Sequence, residues 1–339
     1  MIGSMSSYSA PKVSVIMPVY NTELYVERAM ISLMEQTLDD VQFIIIDDGS
    51  KDNSLSIIKE VINRYPTRKD QITLISRENR GVAATRAQGM ELATGDYVIH
   101  LDSDDWVESQ WLEKMYLKAI DDNADIVICN YAIVYPKKVD NINQFEVLDI
   151  IDGVKLLLNG KVSNMNWDKL VRRSIYQVHD IFFHSGLNMG EDFLVTLKTL
   201  FHSKRISFIS DCLYYYNKCN EGALTWSYSY ESLCNLINIS VMAERFLRNN
   251  DVYNKYFYDF VNFKINVRSC FVLHSKFDIS KIKEGFSIFM ETDEYVLSSN
   301  VTPVFKVCYF LNKIKLSLFI PAFLKAFNIY LFFKGVRRA

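Results

Sequence analysis

The sequence predicts an α/β protein, a layered nucleotide-binding sandwich followed by a mostly helical C-terminal region. Three observations carry this. Short β-branched runs alternate with helical stretches between residues 13 and about 130, the pattern of a parallel sheet with crossover helices. The 339 residues are 49% hydrophobic, with 22 Phe and 20 Tyr, enough for a large core and too apolar for a disordered chain. From Tyr230 onward Gly and Pro shrink to Gly285, Pro303, Pro321 and Gly335 within long mixed apolar and charged stretches, which reads as helix.

In order, the strands read as 13–19, 41–46, 71–75, 97–101 and 125–129. The first helix, 22–35, places Leu24, Ala29, Met30 and Leu33 on one face, and the second, 53–65, does the same with Leu55, Ile58 and Ile62. Helices at 82–93 and 108–121 complete the set. Residues 131–165 lose the alternation and are expected to hold an insertion or edge hairpin, with a short helix near 152–158. A boundary is expected near Thr225.

Charge and cysteine content narrow the class. The 38 Lys+Arg against 40 Asp+Glu leave a net charge of −2, without the basic field that nucleic-acid binders use. Residues 301–339 hold seven Lys/Arg and no acid, so the first 300 carry 31 basic against 40 acidic groups, a net of −9. Six scattered cysteines with no C-x-x-C pair argue against a zinc ribbon or a dense disulfide framework, and reduced thiols are expected. The start MIGSMSSYSAP has no secretory pattern, and no window reaches the ~18 apolar residues of a spanning helix. The expectation is a cytoplasmic protein.

In such sheets chemistry collects beyond the carboxyl ends of the strands. Pro18-Val19-Tyr20-Asn21 follows the first strand, Asp47-Asp48-Gly49-Ser50 the second, and Asp102-Ser103-Asp104-Asp105-Trp106 the fourth. Clustered carboxylates raise one another's pKa, a cost that a divalent cation removes. Hard oxygen ligands of this kind suit Mn²⁺ or Mg²⁺, which bind phosphate oxygens as well, so a diphosphate ligand fits. Asp102 and Asp104 would point to opposite faces of an ideal strand, so they converge only if a turn begins there. Taken alone, DSDDW also reads as a turn capping a helix near Trp106, and DDGS as ordinary turn composition. Their coincidence with Asn79-Arg80-Gly81 and Arg86 after the third strand outlines one pocket. The G-x-G-x-x-G and G-x-x-x-x-G-K elements of dehydrogenases and P-loop kinases are absent.

The runs VSVIMPVYN, IIIDDGSKDNS and NRGVAATRAQGMELATGDYVIHLDSDDW, in this order over 13–106, resemble the family 2 nucleotide-diphospho-sugar glycosyltransferases, inverting enzymes of the GT-A fold. The resemblance continues more weakly through Trp167-Asp168-Lys169-Leu170, Gly190-Glu191-Asp192-Phe193 and Tyr214-Tyr215-Tyr216, about two thirds of the chain. It implies a disordered N-terminus at 1–12 and a GT-A catalytic domain at 13–225, with a donor half at 13–106 and an acceptor half at 107–225. A helical region at 226–339 would end in a basic amphipathic tail, 301–339. The Gly-rich opening loop of sugar-nucleotide pyrophosphorylases is missing.

By the resemblance, Pro18 and Tyr20 would hold the nucleobase of a UDP-sugar and Asp48 would hydrogen-bond it. Arg86 would sit near the donor's phosphates or sugar and Asp102 near the ribose or sugar. Asp104 would ligate Mn²⁺ or Mg²⁺ on the diphosphate, with Asp105 assisting. Asp192 would be the catalytic base, with Glu191 and Trp167 on the acceptor side. His184 and His202 flank that base in sequence as candidate ligands. Bland alternatives stand beside these: Glu191 and Asp192 also read as an acidic helix cap, and Trp167 with Tyr214–Tyr216 as core. No Q-x-x-R-W element is present, which favours single addition to a glycan or lipid-linked glycan. A different class, a non-catalytic nucleotide-sugar binder or membrane-surface assembly protein keeping only the fold, is countered by intact Asp104 and Asp192. The tail interleaves aromatic residues with Lys306, Lys313, Lys315, Lys325, Lys334, Arg337 and Arg338. That mixture suits docking on the inner face of the membrane, or packing on the catalytic domain or a second subunit.

Overall fold

The computed structural model describes residues 10–144, 146, 150–220, 222 and 228–333. The chain divides into two units, Met1–Glu221 and Gly222–Ala339.

The first unit begins as the sequence pattern demands. β1 (Val13–Val19), α1 (Val26–Met34), β2 (Val41–Asp47), α2 (Ser54–Arg64), β3 (Ile72–Ser76), α3 (Val82–Leu92) and β4 (Tyr97–His100) alternate. β1 pairs in parallel with both β2 and β4, and β2 with β3. The β1 sequence VSVIMPV is buried throughout, because a parallel sheet of this type is covered on both faces. Next come β5 (Trp106–Val107), α4 (Trp111–Asp121), β6 (Ile126–Tyr135), β7 (Lys138–Ile142), α5 (Ile150–Leu158), β8 (Lys169–Arg172), α6 (Arg173–Val178), α7 (Glu191–His202) and β9 (Ile206–Asn217). The sheet order is β3-β2-β1-β4-β8-β6-β9-β5, with β7 on the edge of β6. One core, including Met17, Phe43, Ile45, Ile99, Trp111, Val127 and Tyr214, underlies the sheet.

The structure corrects several sequence expectations. The fifth expected strand, β6, does not lie beside β4: β8 separates them, antiparallel to both. Residues 131–135 extend β6 into a hairpin with β7, within the stretch where an insertion or hairpin was expected. The first helix starts at Val26 because Thr22 O accepts the N–H groups of both Tyr25 and Val26 in a preceding turn, and Leu24 is left 81% exposed, off the expected apolar face. The helix expected from 108 starts at Trp111, since Trp106 and Val107 are drawn into β5 by pairing with Tyr215 and Tyr214.

The second unit is helical: α8 (Tyr230–Asn249), α9 (Phe257–Leu273), α10 (Ile279–Ser287), α11 (Pro303–Lys313) and α12 (Ile320–Phe333). Ser229, Asp278 and Thr302 accept backbone N–H bonds as caps of α8, α10 and α11. Its core joins Ile265, Val272, Ile282 and Phe286 to Phe305, Cys308, Ile320 and Leu324. Part of the expected amphipathic tail is therefore core. Among the described residues no helix is long and apolar enough to cross a membrane. Residues 1–9, Thr225, Lys334, Arg337 and Arg338 lie outside the described residues. All six cysteines are unpaired thiols.

Candidate active site

The site is built at the carboxyl ends of the first strands. Where β2 ends, Asp47 accepts the Ser50 N–H (3.0 Å) and the Ser76 hydroxyl (2.7 Å), closing a turn. Gly49 sits in that turn at φ +76°, where a Cβ would lie 2.9 Å from the Asn79 nitrogen. Buried Asp48 accepts the N–H groups of Arg80 (3.0 Å) and Gly81 (2.8 Å) and pairs with Arg77. Loop 77–81 is thus folded around one carboxylate. Within β1 Pro18 is buried, and just past its end Tyr20 is 46% exposed.

The DSDDW segment is a tight turn, with the Asp105 N–H donating to Asp102 O at 3.1 Å. It caps no helix: α4 begins at Trp111 behind Gln110 without a side-chain cap. β9 grips the turn from below. The Tyr214 hydroxyl donates to Asp105 Oδ2 (2.6 Å) and accepts the Asp102 N–H (3.2 Å), and the Asn217 N–H donates to Asp105 Oδ1 (2.7 Å). Asp105 is buried with both oxygens engaged in holding the turn. Asn220 Nδ2 donates to Asp104 Oδ2 at 2.8 Å. Burial, then the charge of Asp102, pushes the Asp104 pKa up to about 6.

Arg86, projecting from α3, gathers three more carboxylates. Its Nη2 donates to Asp102 Oδ1 (2.8 Å), and its Nη1 to Glu191 Oε1 (2.6 Å) and Asp192 Oδ1 (2.9 Å). Burial opposes the guanidinium charge, but Asp192, Asp102 and Glu191 more than reverse that, and its pKa is raised. Glu191 and Asp192 open α7 just after Gly190, which adopts φ +84°. Burial, followed by the charge of Asp192, lifts Glu191 to about 8; burial also raises Asp192, against the pull of Arg86. Three carboxylates around one guanidinium form a site with surplus negative charge. Beside them, buried His100 has no hydrogen-bond partner for either ring nitrogen among the described residues, and burial with the Arg86 charge keeps it neutral.

Asn166 was not signalled by the sequence, yet its Nδ2 donates to Asp192 Oδ1 at 2.6 Å. The loop carrying it is staked by Lys169, whose Nζ reaches Ser163 O (2.7 Å), Met165 O (2.9 Å) and Asp168 (2.6 Å), while Gln144 holds the other Asp168 oxygen (2.7 Å). Arg77, Asn217 and Asn220 were also missed; only their nearness to quoted motifs could have drawn notice. Trp167, expected on the acceptor side, is 2% exposed and stacks on Tyr214 at 4.1 Å within the core. His202 stacks on His179 at 3.8 Å at the far end of α7, about 15 Å along the helix from Asp192. His184 lies beside Phe182. Among the described residues no group of three or more His, Cys, Asp or Glu side chains is arranged to hold a metal. Asp104 beside Asp102 still fits Mn²⁺ or Mg²⁺ in chemistry, as hard oxygens in a site of surplus negative charge, with diphosphate and water needed to complete the shell.

The parallel β3-β2-β1-β4 layer with an acidic turn past β4 is the frame of a GT-A transferase. Staphylococcus aureus TarS 1–349, solved in complex with UDP-GlcNAc, shares the fold with a TM-score of 0.63 over 94% of this chain and 91% of that chain, at 18% identity. The model of glycosyl transferase family 2 matches residues 14–180. EpsH of Bacillus subtilis, named a glycosyltransferase, is 35% identical over 213 residues, 61% of this chain and 60% of EpsH. A cholesterol galactosyltransferase of Borreliella burgdorferi is 30% identical over 277 residues, 75% of each chain. The chain belongs to glycosyl transferase family 2 and has the GT-A fold, and it spans less than two thirds of the length of EpsH.

Proposed function

We propose that this glycosyltransferase moves one sugar, with inversion, from a UDP-sugar to a hydroxyl of a glycan or lipid-linked glycan in the cytoplasm. The observation that carries the reading is the set formed by Arg86, Asp102, Glu191 and Asp192 with Asn166: buried carboxylates beside the acidic turn, one of them positioned by both an arginine and an amide. The uridine preference is supported by the likeness to TarS, and a reducing compartment by the unpaired thiols.

Breaking the anomeric bond builds positive charge on the sugar and negative charge on the departing diphosphate. Asp104 would hold Mn²⁺ or Mg²⁺, which when bound supplies Lewis-acid stabilisation of that diphosphate. Pro18 and Tyr20 would flank the nucleobase, with Asp48 ordering the loop beside it. Arg86 would face the donor's phosphates or sugar while keeping Asp102 and Asp192 in place. Asp192 would accept the proton of the acceptor hydroxyl at its carboxylate, and its raised pKa brings it nearer to working pH. One base opposite the leaving group gives inversion.

Asp192→Asn is expected to keep UDP-sugar affinity, by calorimetry, while turnover falls by about 10² or more. Wild-type turnover in that variant would pass the role to Glu191. UDP with Mn²⁺ should raise the melting temperature and EDTA should abolish the gain, with most of the metal-linked part absent in Asp104→Asn. Equal shifts with and without EDTA would remove the metal from the reading.

A further inference from the structure

The outer surface of the last two helices breaks the rule that a solvent-facing helical stripe is polar. On α11 and its C-cap, Val307, Phe310 and Ile314 recur at i, i+3 and i+7 and are exposed, while Phe305, Cys308 and Tyr309 face the core. In the turn that follows, Leu318 is 73% and Phe319 60% exposed. On α12, Ile329 is exposed on the face opposite buried Ile320 and Leu324, and Tyr330 is exposed on its flank. Lys313, Lys315 and Lys325 stand among these apolar groups and are exposed. No acidic residue occurs anywhere in 301–339.

We infer that this surface docks on an anionic membrane, with the apolar groups set among the lipid headgroups and the lysines against lipid phosphates. The choice of occupant rests on charge and length. In a two-fold contact with a second copy, the same patch meets itself, which would press lysines against lysines. An anionic lipid surface is complementary to both halves of the pattern. Among the described residues α12 has 14 residues, about 21 Å of helix against a hydrocarbon core of about 30 Å, a length that suits a helix lying in the interface. The remaining 300 residues carry a net charge of −9 and are repelled by the same lipids. Attachment thus requires this surface to lead, and it weakens steeply with salt.

The test is flotation of the full chain, without donor or acceptor, with vesicles of equal parts phosphatidylglycerol and phosphatidylcholine, so the result is independent of the transfer reaction. The expected result is binding at low salt that is lost at high salt and on pure phosphatidylcholine. Both Leu318→Ser/Phe319→Ser and Lys313→Glu/Lys325→Glu should weaken it at least about tenfold with an unchanged melting temperature. The inference is overturned by a full chain that stays unbound at low salt, or by binding indifferent to lipid charge and to the lysine variant. It is equally overturned if sedimentation shows a dimer that Leu318→Ser/Phe319→Ser dissolves, because a second copy then covers the surface.

Discussion

Glu191 and Asp192 are neighbours in sequence and share one nitrogen of Arg86, so their protons are not independent. Glu191 is ordinarily protonated below about 4.5 and here only loses its proton near 8. The folded state therefore binds a proton that the unfolded chain releases between those values. That contribution to stability is complete below the lower value and fades as pH rises through the upper one. Thermal melts from pH 5 to 9 should show a decline through neutrality that Glu191→Gln flattens; parallel pH profiles for both proteins would contradict the shift. Asn166 acts on the same centre from the other side. Asn166→Ala is expected to lower kcat by about tenfold with little change in donor affinity, and to displace the pH profile of kcat by removing a donor from Asp192. Arg86, Asp102, Glu191 and Asp192 were legible in the sequence because each sits inside a contiguous motif. Asn166 and Asn220 were not, since an isolated amide has no pattern and reaches its partner only through the fold. Trp167 was legible as an aromatic, but its burial depends on Tyr214, 47 positions further on, stacking against it.

At the scale of elements, α3 matters most because it carries Arg86. It lies so close to β1 that a Cβ on Gly89 would fall 2.4 Å from Ile16 Cγ2, and Ile16 is a fully buried, β-branched side chain with nowhere to turn. Gly89→Ala should cost about 1–3 kcal/mol by denaturant melts and weaken donor binding as Arg86 shifts with its helix. A variant as stable as the parent would show that α3 can rise without strain. The strands of the parallel layer were readable because each is a β-branched run followed by a helix. β8 and β5 were not: they have four and two residues, too few to show alternation, and they exist because neighbouring strands supply the other half of each ladder. Loop 163–168 illustrates the same limit, since its shape comes from a buried Lys169–Asp168 pair that no periodicity encodes.

Across the whole molecule, α11 and α12 belong to the helical unit's core as well as to its surface. Ending the chain at Asn300 would remove Phe305, Cys308, Ile320 and Leu324 from that core. At roughly 1.5–3 kcal/mol for each large side chain, the loss is comparable to the whole stability of a typical domain. The truncated protein should lose the cooperative melting of its second unit; retention of that transition would place these residues outside the folding unit. In the first unit, Arg86 meets Asp102 across 16 residues of chain but Asp192 across 106. Closing the longer loop costs about 1.6 kcal/mol more in chain entropy, so the shorter contact forms cheaply and the longer one only after the intervening strands are in place. The acidic turn is itself held by Tyr214, Asn217 and Asn220 across 109, 112 and 116 residues, so both parts of the candidate site wait on closures of that length. In refolding from denaturant, nucleotide binding should therefore recover together with sugar transfer, and binding that returned well ahead of transfer would show that the acidic turn forms without β9.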